Sequence, residues 1–145
     1  MSWAIEVNDL SKSFGKFQAV DKLSFAIKSG EIFGFLGPNG SGKSTTIRML
    51  CGILRPSSGD GRVLGYDLVR EAEQIKQNIG YMSQKFSLYE DLTVTENLHF
   101  YAGVYGLNSR EVRRRQEELF HLTDLEDKIN SLAGTLSGGL KQRLA

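Results

Sequence analysis

Cysteine, proline and long apolar runs are scarce or absent in these 145 residues. The single cysteine, Cys51, excludes an internal disulfide and is interpreted as a small packing residue of a protein in a reducing compartment. No run of 18 apolar residues occurs, which argues against a membrane-spanning helix. Residues 1–10 lack a basic segment followed by an apolar stretch, so a soluble, intracellular protein is predicted.

An excess of charge of either sign is also lacking. The 18 Lys and Arg side chains against 17 Asp and Glu give a net charge of +1, so no nucleic-acid partner is expected. The one basic run, residues 110–115, lies among Glu111, Glu117 and Glu118 at spacings that pair acid with base on a helix. A solvated helix face is therefore predicted there.

Apolar periodicity divides the chain into a mostly β and α/β first half and a helical second half. Alternation predicts antiparallel strands, a nearly continuous apolar run predicts a strand buried on both faces, and glycine and proline mark helix ends. The segments are strands at 4–10 and 22–28, a doubly buried strand at 31–37, a helix at 43–52, a short strand ending in a turn at 59–67, a helix at 71–78 and an apolar strand at 79–84.

The helical half begins at Thr93, which forms a predicted capping box with Glu96. Length and the absence of a linker predict one domain over residues 1–145. Within it, residues 1–92 are expected to form the β and P-loop core, and residues 93–140 a helical subdomain.

The stretch GPNGSGKST, residues 37–45, has the spacing of a phosphate-binding P-loop and lies between a predicted strand and a predicted helix. Glycines allow successive backbone N–H groups to face one anion, and the helix N-terminus favours the same phosphates. Lys43 is expected at the β- and γ-phosphates, and the Ser44 hydroxyl at Mg²⁺. The predicted nucleotide-binding residues are Gly37, Pro38, Asn39, Gly40, Ser41, Gly42, Lys43, Ser44 and Thr45.

The segment LSGG, residues 136–139, follows this P-loop, and the pair resembles the nucleotide-binding domain of ABC transporters over the whole chain. The resemblance implies an α/β P-loop NTPase fold, with an antiparallel β subdomain, a P-loop α/β core and a helical subdomain. It also implies an ATP-binding and ATP-hydrolysing subunit that uses ATP and Mg²⁺.

Two further residues are assigned through this resemblance. Phe14, in SKSFGKFQAV, matches the aromatic residue that stacks on adenine. Gln84, in YMSQKFSLYED, matches the Q-loop glutamine that reaches Mg²⁺ and the attacking water. Lys43 and Gln84 are therefore the candidate catalytic residues, and Ser44 and Gln84 the candidate metal ligands.

The LSGG segment resembles the signature loop, which contacts the γ-phosphate held by a second domain. Ser137 can donate its hydroxyl, and Gly138 and Gly139 permit close approach, with Gly139 expected to open a helix. The resemblance thus implies a head-to-tail dimer with another ABC domain, in which Leu136, Ser137, Gly138 and Gly139 act in trans.

Leu140 departs from the glutamine that many members have at the fifth signature position. LSGGxKQR and QKFSLYEDLTVTENL resemble ABC-2 type exporters, including drug-efflux subunits. This branch implies multidrug or other export through a separate transmembrane permease, with the protein held at the cytoplasmic face of the plasma membrane. The cargo is not identified.

An apolar strand ending in aspartate and glutamate, followed by a switch histidine, is absent from the 145 residues. His99 and His121 precede the signature and are interpreted as structural or surface residues. The sequence is therefore expected to be the N-terminal portion of such a domain, ending just after the signature. By itself it is predicted to bind ATP without hydrolysing it, and to fold marginally.

Alternatives remain at two points. The aromatic residues Phe86, Tyr89, Phe100, Tyr101 and Tyr105 predict either a groove for a helix of the membrane partner or a core under the helical segment. For the whole chain, a non-transport ABC protein acting on DNA repair or ribosomes, or a binding-only protein, would share these motifs.

Overall fold

The computed structural model describes residues 2–82, 87–123 and 125–145 of the chain. The chain divides into two compact units, Met1–Tyr81 and Met82–Ala145, whereas the predicted boundary at residues 92 and 93 stays a prediction. The elements are β1 (Trp3–Phe14), β2 (Phe17–Lys28), α1 (Lys43–Leu50), β3 (Ser58–Val63), β4 (Tyr66–Asp67), α2 (Ala72–Gln77), α3 (Val94–Val104), α4 (Ser109–Thr123) and α5 (Gly138–Leu144).

The first unit contains a four-stranded antiparallel sheet in the order β2-β1-β3-β4. The two predicted N-terminal strands are confirmed and are longer than expected. They form a hairpin closed by the pair Phe14 and Phe17, with Gly15 in a left-handed conformation (φ 58°) at the turn. Val7 and Leu10 of β1 are both buried in the core although they are three positions apart. Simple alternation would put them on opposite faces, and the register irregularity between them, with Asp9 at φ 48°, brings both into the same core.

The segment 59–67 was predicted as a short strand ending in a turn, and this is confirmed, with a second short strand after the turn. It forms two strands, β3 and β4, because the chain reverses at Leu64 and Gly65, which have positive φ angles of 52° and 85°. The resulting pairs are Arg62 with Asp67 and Val63 with Tyr66.

The core of the first unit lies between the sheet and the first two helices. Each fully buried side chain of this kind stabilises the fold by about 1.5–3 kcal/mol relative to exposure. Burial of one face of α1 on the sheet fixes the position of the loop that precedes it. The buried members of the core are Val7, Leu10, Val20, Met49, Leu50, Val63, Leu68 and Ile75.

The predicted helix at 43–52 is confirmed as α1, with an end set by Cys51 and Gly52. Gly52 has φ 67°, and a Cβ there would lie 2.8 Å from the Ala72 carbonyl oxygen, so a side chain would strain this stop. Cys51 is half-buried, and burial raises the pKa of its thiol. This agrees with its interpretation as a packing residue.

The predicted doubly buried strand at 31–37 is not formed. No described strand hydrogen-bonds to this segment, and the side chains of Ile32 and Leu36 are fully exposed. Phe33 and Phe35 instead pack on Phe25 of β2, with ring centroids 5.5 and 5.6 Å from it. An apolar strand buried on both faces needs neighbours on both faces, and the described residues supply aromatic contacts from β2 alone.

The predicted strand at 79–84 is likewise absent over residues 79–82. Residues 83–84 of that prediction lie outside the described ranges. Of the predicted α/β core, α1 and α2 are therefore present, and neither apolar strand is formed over the part of its range that the structure describes.

The second unit begins its helical part at α3, and the predicted capping box is confirmed. The backbone N–H of Thr93 donates to Glu96 Oε2 at 2.8 Å, and the Glu96 N–H donates to Thr93 Oγ1 at 3.2 Å. A second core, formed by Val94, Leu125, Ala133, Leu136 and Leu144, joins α3 to α5.

Asn97 of α3 closes the turn that precedes this helix. Its side chain is 1% exposed; Oδ1 accepts from the Tyr89 N–H, and Nδ2 donates to the carbonyl oxygens of Tyr89, Leu92 and Thr93. A buried amide is retained in a core when its donors and acceptor are all satisfied. Asn97 therefore fixes the conformation of residues 89–93.

Candidate nucleotide-binding site

Lys43, the first residue of α1, turns its side chain back over the glycine-rich loop. Its Nζ donates to the carbonyl oxygens of Gly37 and Pro38, both at 2.7 Å, and lies 3.5 Å from Ser41 Oγ. No carboxylate of the described chain pairs with it. The loop thus carries a positive charge that two carbonyl oxygens keep in place and that no described carboxylate neutralises.

Gly42 gives the loop the conformation that this geometry needs. Its φ is 85°, and a Cβ at this position would lie 2.4 Å from the carbonyl oxygen of Ala19 on β2. Both the left-handed backbone and the contact with the strand exclude a larger residue. Gly42 therefore explains why the motif requires glycine directly before the lysine.

Several backbone N–H groups of the loop have no acceptor in the described chain. The Ser41 N–H donates to the Pro38 carbonyl oxygen at 3.3 Å, and the Thr46 N–H to that of Gly42 at 2.8 Å. The first N–H groups of a helix have no intrahelical partner and attract anions. The N–H groups left without an acceptor include those of Gly40, Gly42, Lys43, Ser44 and Thr45.

Ser44 and Thr46, two hydroxyl side chains in the first turn of α1, differ in exposure. Ser44 is exposed, with no hydrogen-bond partner among the described residues, whereas Thr46 is buried. A free hydroxyl beside orphaned N–H groups and one ammonium fits a phosphate with its Mg²⁺. Gln84, the other predicted metal ligand and catalytic residue, lies outside the described residues.

Phe14 is placed at the end of β1 with its ring 50% exposed, as a stacking residue must be. The Nζ of Lys12 lies 5.2 Å from the centroid of this ring and also donates to the Arg55 carbonyl oxygen at 2.7 Å. The ammonium thus lies over the Phe14 ring, where cation and π-face attract. Sequence reasoning missed Lys12, although its position two residues before Phe14 places it on the same strand face.

The signature segment forms the start of α5 in the second unit. Ser137 is the N-cap, its Oγ accepting from the Leu140 N–H at 3.4 Å, and Gly138 is the first helical residue. The expectation that Gly139 opens the helix is therefore wrong by one residue, because the serine side chain caps it earlier. Leu140, where many family members have glutamine, packs on the second core.

Gly138 and Gly139 leave open space at the surface. A Cβ built on either residue meets no atom of the described chain within 4 Å. Nothing within the described chain thus requires glycine there, in contrast to Gly42. A surface without side chains suits the close approach of a second molecule.

Lys141 and Glu90 form an ion pair that sequence reasoning did not find. Lys141 Nζ lies 2.8 Å from Glu90 Oε1, with the lysine side chain only 18% exposed. The hydrogen bond from Lys141 lowers the pKa of the Glu90 carboxyl. This pair ties α5 to the turn that Asn97 holds.

The remaining singled-out residues belong to the second unit. His121 Nδ1 is 3.7 Å from Glu126 Oε1, and His99 lies on the exposed surface of α3. Arg114 and Arg115 both pair with Glu118, at 3.8 and 3.6 Å. The predicted pairing is therefore confirmed for Glu118, whereas Glu111 and Glu117 form no ion pair among the described residues.

Three of the five predicted aromatic residues form a surface cluster. Tyr89 and Phe100 lie 4.7 Å apart, Phe100 and Tyr101 5.3 Å, and the Tyr101 hydroxyl donates to the Ser87 carbonyl oxygen. Tyr89 and Phe100 are exposed, so they do not form the buried core of the second unit. Phe86 lies outside the described ranges, and Tyr105 is largely exposed.

Sequence and structure comparisons identify similar proteins. A probable multidrug ABC transporter ATP-binding protein, YbhF, of Escherichia coli (strain K12) is 49% identical over 141 residues, covering 97% of this chain and 24% of that protein. Nod factor export ATP-binding protein I of Rhizobium etli is 41% identical, covering 97% of this chain and 45% of that protein. The chain thus spans less than half the length of either relative.

A solved structure shares the fold. CbiO1 from Clostridium perfringens, described as part of the ABC transporter complex cbiONQ, superposes with a TM-score of 0.85 at 27% identity. The match covers 99% of this chain and 59% of that one. Within the described ranges, none of the helices combines the length and the apolar character that crossing a membrane requires. The ABC transporter family model matches residues 20–145, and the chain belongs to that family.

Proposed function

We propose that this chain is the ATP-binding part of an ABC exporter subunit, which powers transport through a separate membrane permease. The observation that carries the proposal is Lys43, whose ammonium is held on the loop carbonyls beside a row of orphaned backbone N–H groups. Members of the family are ATPases that use ATP, generally with Mg²⁺. The names of the relatives, multidrug and Nod factor export proteins, support export.

In this proposal the loop binds the phosphates of ATP, and Phe14 stacks on adenine. Lys43 exchanges its carbonyl acceptors for phosphate oxygens, which makes charge-assisted hydrogen bonds to groups that carry negative charge. Ser44 and Gln84 are the residues that hold Mg²⁺, and Gln84 orients the attacking water. The metal supplies neutralisation of the charge that develops on the transferred phosphoryl group.

The signature segment acts on a second ABC domain. Ser137 and the bare backbone at Gly138 and Gly139 approach the γ-phosphate bound by the partner, in a head-to-tail dimer. The open space around both glycines supports this role. Residues 1–145 alone contain no acidic residue placed after an apolar strand, so we expect them to bind ATP without turning it over.

The permease is expected to contact the second unit, which places the protein at the cytoplasmic face of the membrane. The exposed rings of Tyr89 and Phe100 form the surface proposed to receive a helix of that partner. Tyr89→Ala should then uncouple transport from hydrolysis in the full complex. Unchanged coupling would remove Tyr89 from the interface.

ATP hydrolysis by the full-length protein with its permease tests the assignment of Lys43. Lys43→Ala removes the ammonium and should lower the turnover at least about 100-fold, since this charge acts on the developing phosphoryl charge. Lys16→Ala is the matched control, because Lys16 is exposed at the β1–β2 turn outside the motif. Equal turnover by the two variants would rule out the P-loop role of Lys43.

Crosslinking tests the head-to-tail dimer. With Cys51 replaced by Ala, the pair Ser41→Cys and Ser137→Cys places one thiol in the P-loop and one in the signature. Mg·ATP should promote a disulfide between two chains, because the nucleotide brings the two loops together. A crosslink that forms equally without nucleotide, or only within one chain, would contradict the arrangement.

A further inference from the structure

A cleft of about 560 Å³ lies between α3 and α4 in the second unit. From α3, Thr95, His99 and Gly103 face it at four-residue spacing, and from α4, Ser109, Arg113 and Gln116 share one face. Small-molecule sites have volumes of roughly 300–1,000 Å³. The cleft is therefore large enough for an organic ligand and much larger than inorganic phosphate needs.

The charge of the cleft comes from Arg113. Its guanidinium has no carboxylate partner in the described chain, whereas its neighbours Arg114 and Arg115 are both paired with Glu118. None of the described residues that line the cleft is acidic, and Glu117 lies beside Arg113 in an adjoining pocket without forming an ion pair with it. An unpaired guanidinium with its planar set of donors matches a phosphate or carboxylate group.

Gln116 lines the cleft, but its amide nitrogen is not accessible from the cleft. Its Nε2 is buried and has no hydrogen-bond partner among the described residues, the one such side-chain atom found there. A donor without accessible surface cannot be reached by a ligand in the cleft, so Gln116 bounds the cleft without binding the anion.

The other residues that line the cleft provide both polar and apolar contacts. Ser109 and His99 offer further hydrogen-bonding groups, whereas Thr95 uses its hydroxyl proton on the Ile129 carbonyl oxygen at 2.9 Å. Leu107 and Val112 supply apolar surface beside them. The ligand should therefore combine an anionic group with an apolar body.

We propose that the α3–α4 cleft binds a small organic phosphate monoester or carboxylate, with Arg113 on the anionic group and Leu107 and Val112 against an apolar ring or short chain. The site lies wholly in the second unit and does not depend on nucleotide binding at the P-loop. It would give the second unit a ligand of its own.

Calorimetric titration of the full-length protein with phenyl phosphate tests the proposal, with Mg·ADP present to occupy the P-loop. Wild-type protein should bind the probe saturably, and phenol, which lacks the anion, should bind at least about 10-fold more weakly. Arg113→Gln should weaken binding by a similar factor. Arg115→Gln, the same charge change on the same helix, should leave it within about twofold.

Filling the cleft is a second, independent test. Gly103→Leu adds a side chain where a Cβ meets no atom within 4 Å, and it raises helix propensity, so the variant should fold at least as well as wild type. It should abolish phenyl phosphate binding while Arg113 stays intact.

Three results would overturn the proposal. These are no saturable binding by wild type, equal binding of phenol, or equal loss in the Arg113→Gln and Arg115→Gln variants. Arg113-dependent binding to phosphatidylglycerol vesicles without phenyl phosphate binding would also overturn it, since a lipid surface would then be the source of the anion.

Discussion

Phe14 and Phe17 face each other across the β1–β2 turn, and both rings are largely exposed, by 50% and 64%. Lys12 lies over the Phe14 ring, and neither of the described cation–π contacts involves Phe17. Two similar rings with one assigned role give a sharp contrast. Phe14→Ala should weaken ATP binding by about 10-fold, since loss of one base-stacking aromatic costs about 1–3 kcal/mol.

Equilibrium binding of a fluorescent ATP analogue measures this effect, with Phe17→Ala as control. The control removes an equally exposed ring from the same hairpin and should change the affinity less than twofold. A larger loss for Phe17→Ala than for Phe14→Ala would transfer the stacking role to Phe17.

Asn97 offers a test of stability at the residue scale. Asn97→Ala leaves the buried polar groups of the 89–93 turn without their partner, which should lower the free energy of unfolding of the second unit by about 3 kcal/mol. Urea unfolding measures this change. Asn108→Ala, which removes only exposed capping bonds at the start of α4, should cost about 1 kcal/mol. Similar losses in the free energy of unfolding for both variants would contradict the conclusion that Asn97 fixes the conformation of residues 89–93.

At the scale of elements, the capping box makes α3 sensitive to acid. The backbone N–H and then the hydroxyl of Thr93 donate to Glu96, which lowers the pKa of that carboxyl from its ordinary value of 4.5. A carboxyl whose pKa is lower in the folded state than in the unfolded state stabilises the protein at pH values above its unfolded-state pKa. That stability is lost as the pH falls through the lowered pKa.

Glu96→Gln tests this dependence, because glutamine keeps the hydrogen-bonding shape without titrating. Between neutral pH and about pH 3, the free energy of unfolding of the variant should fall less than that of wild type. Urea unfolding at several pH values is the measurement. Identical pH profiles would show that Glu96 does not contribute to acid sensitivity.

Local signals account for the elements that the sequence predicted correctly. The hairpin of β1 and β2, α1 behind the P-loop, and α3 behind Thr93 all depend on turns, caps and alternation within a few residues. The segments 31–37 and 79–82 failed as strands because a strand also needs neighbours, which periodicity does not reveal. The Lys141–Glu90 pair joins residues 51 positions apart and was equally hidden from local patterns.

The site shows the same division. The motif spacing identified Lys43 and Ser44, and the structure adds the carbonyl contacts of Lys43 and the orphaned N–H groups. Lys12 was missed although it lies two residues before Phe14 on the same strand, and only its hydrogen bond to the Arg55 carbonyl oxygen joins residues distant in sequence.

At the scale of the whole molecule, the exposed apolar segment 31–36 governs solubility. Ile32 and Leu36 are fully exposed on a stretch of backbone to which no described strand hydrogen-bonds, a combination that favours association between chains. Purified residues 1–145 should therefore aggregate on warming. The double variant Ile32→Ser and Leu36→Ser should reduce light scattering without lowering the free energy of unfolding, since neither side chain is packed.

Leu10→Ser is the contrasting control, because Leu10 is buried in the first core. It should lower the free energy of unfolding by about 3 kcal/mol or more and increase scattering. Unchanged light scattering by the Ile32 and Leu36 double variant would show that another surface causes the association between chains.

The central claim is that the backbone of residues 37–45 binds the phosphates of ATP. Amide hydrogen exchange of the full-length protein, with and without Mg·ATP, tests it most directly. ATP should slow exchange at Gly40, Gly42, Lys43, Ser44 and Thr45, whose N–H groups have no acceptor in the described chain, while adenosine should not. Protection confined to other parts of the protein, with these five amides unchanged by ATP, would contradict the account.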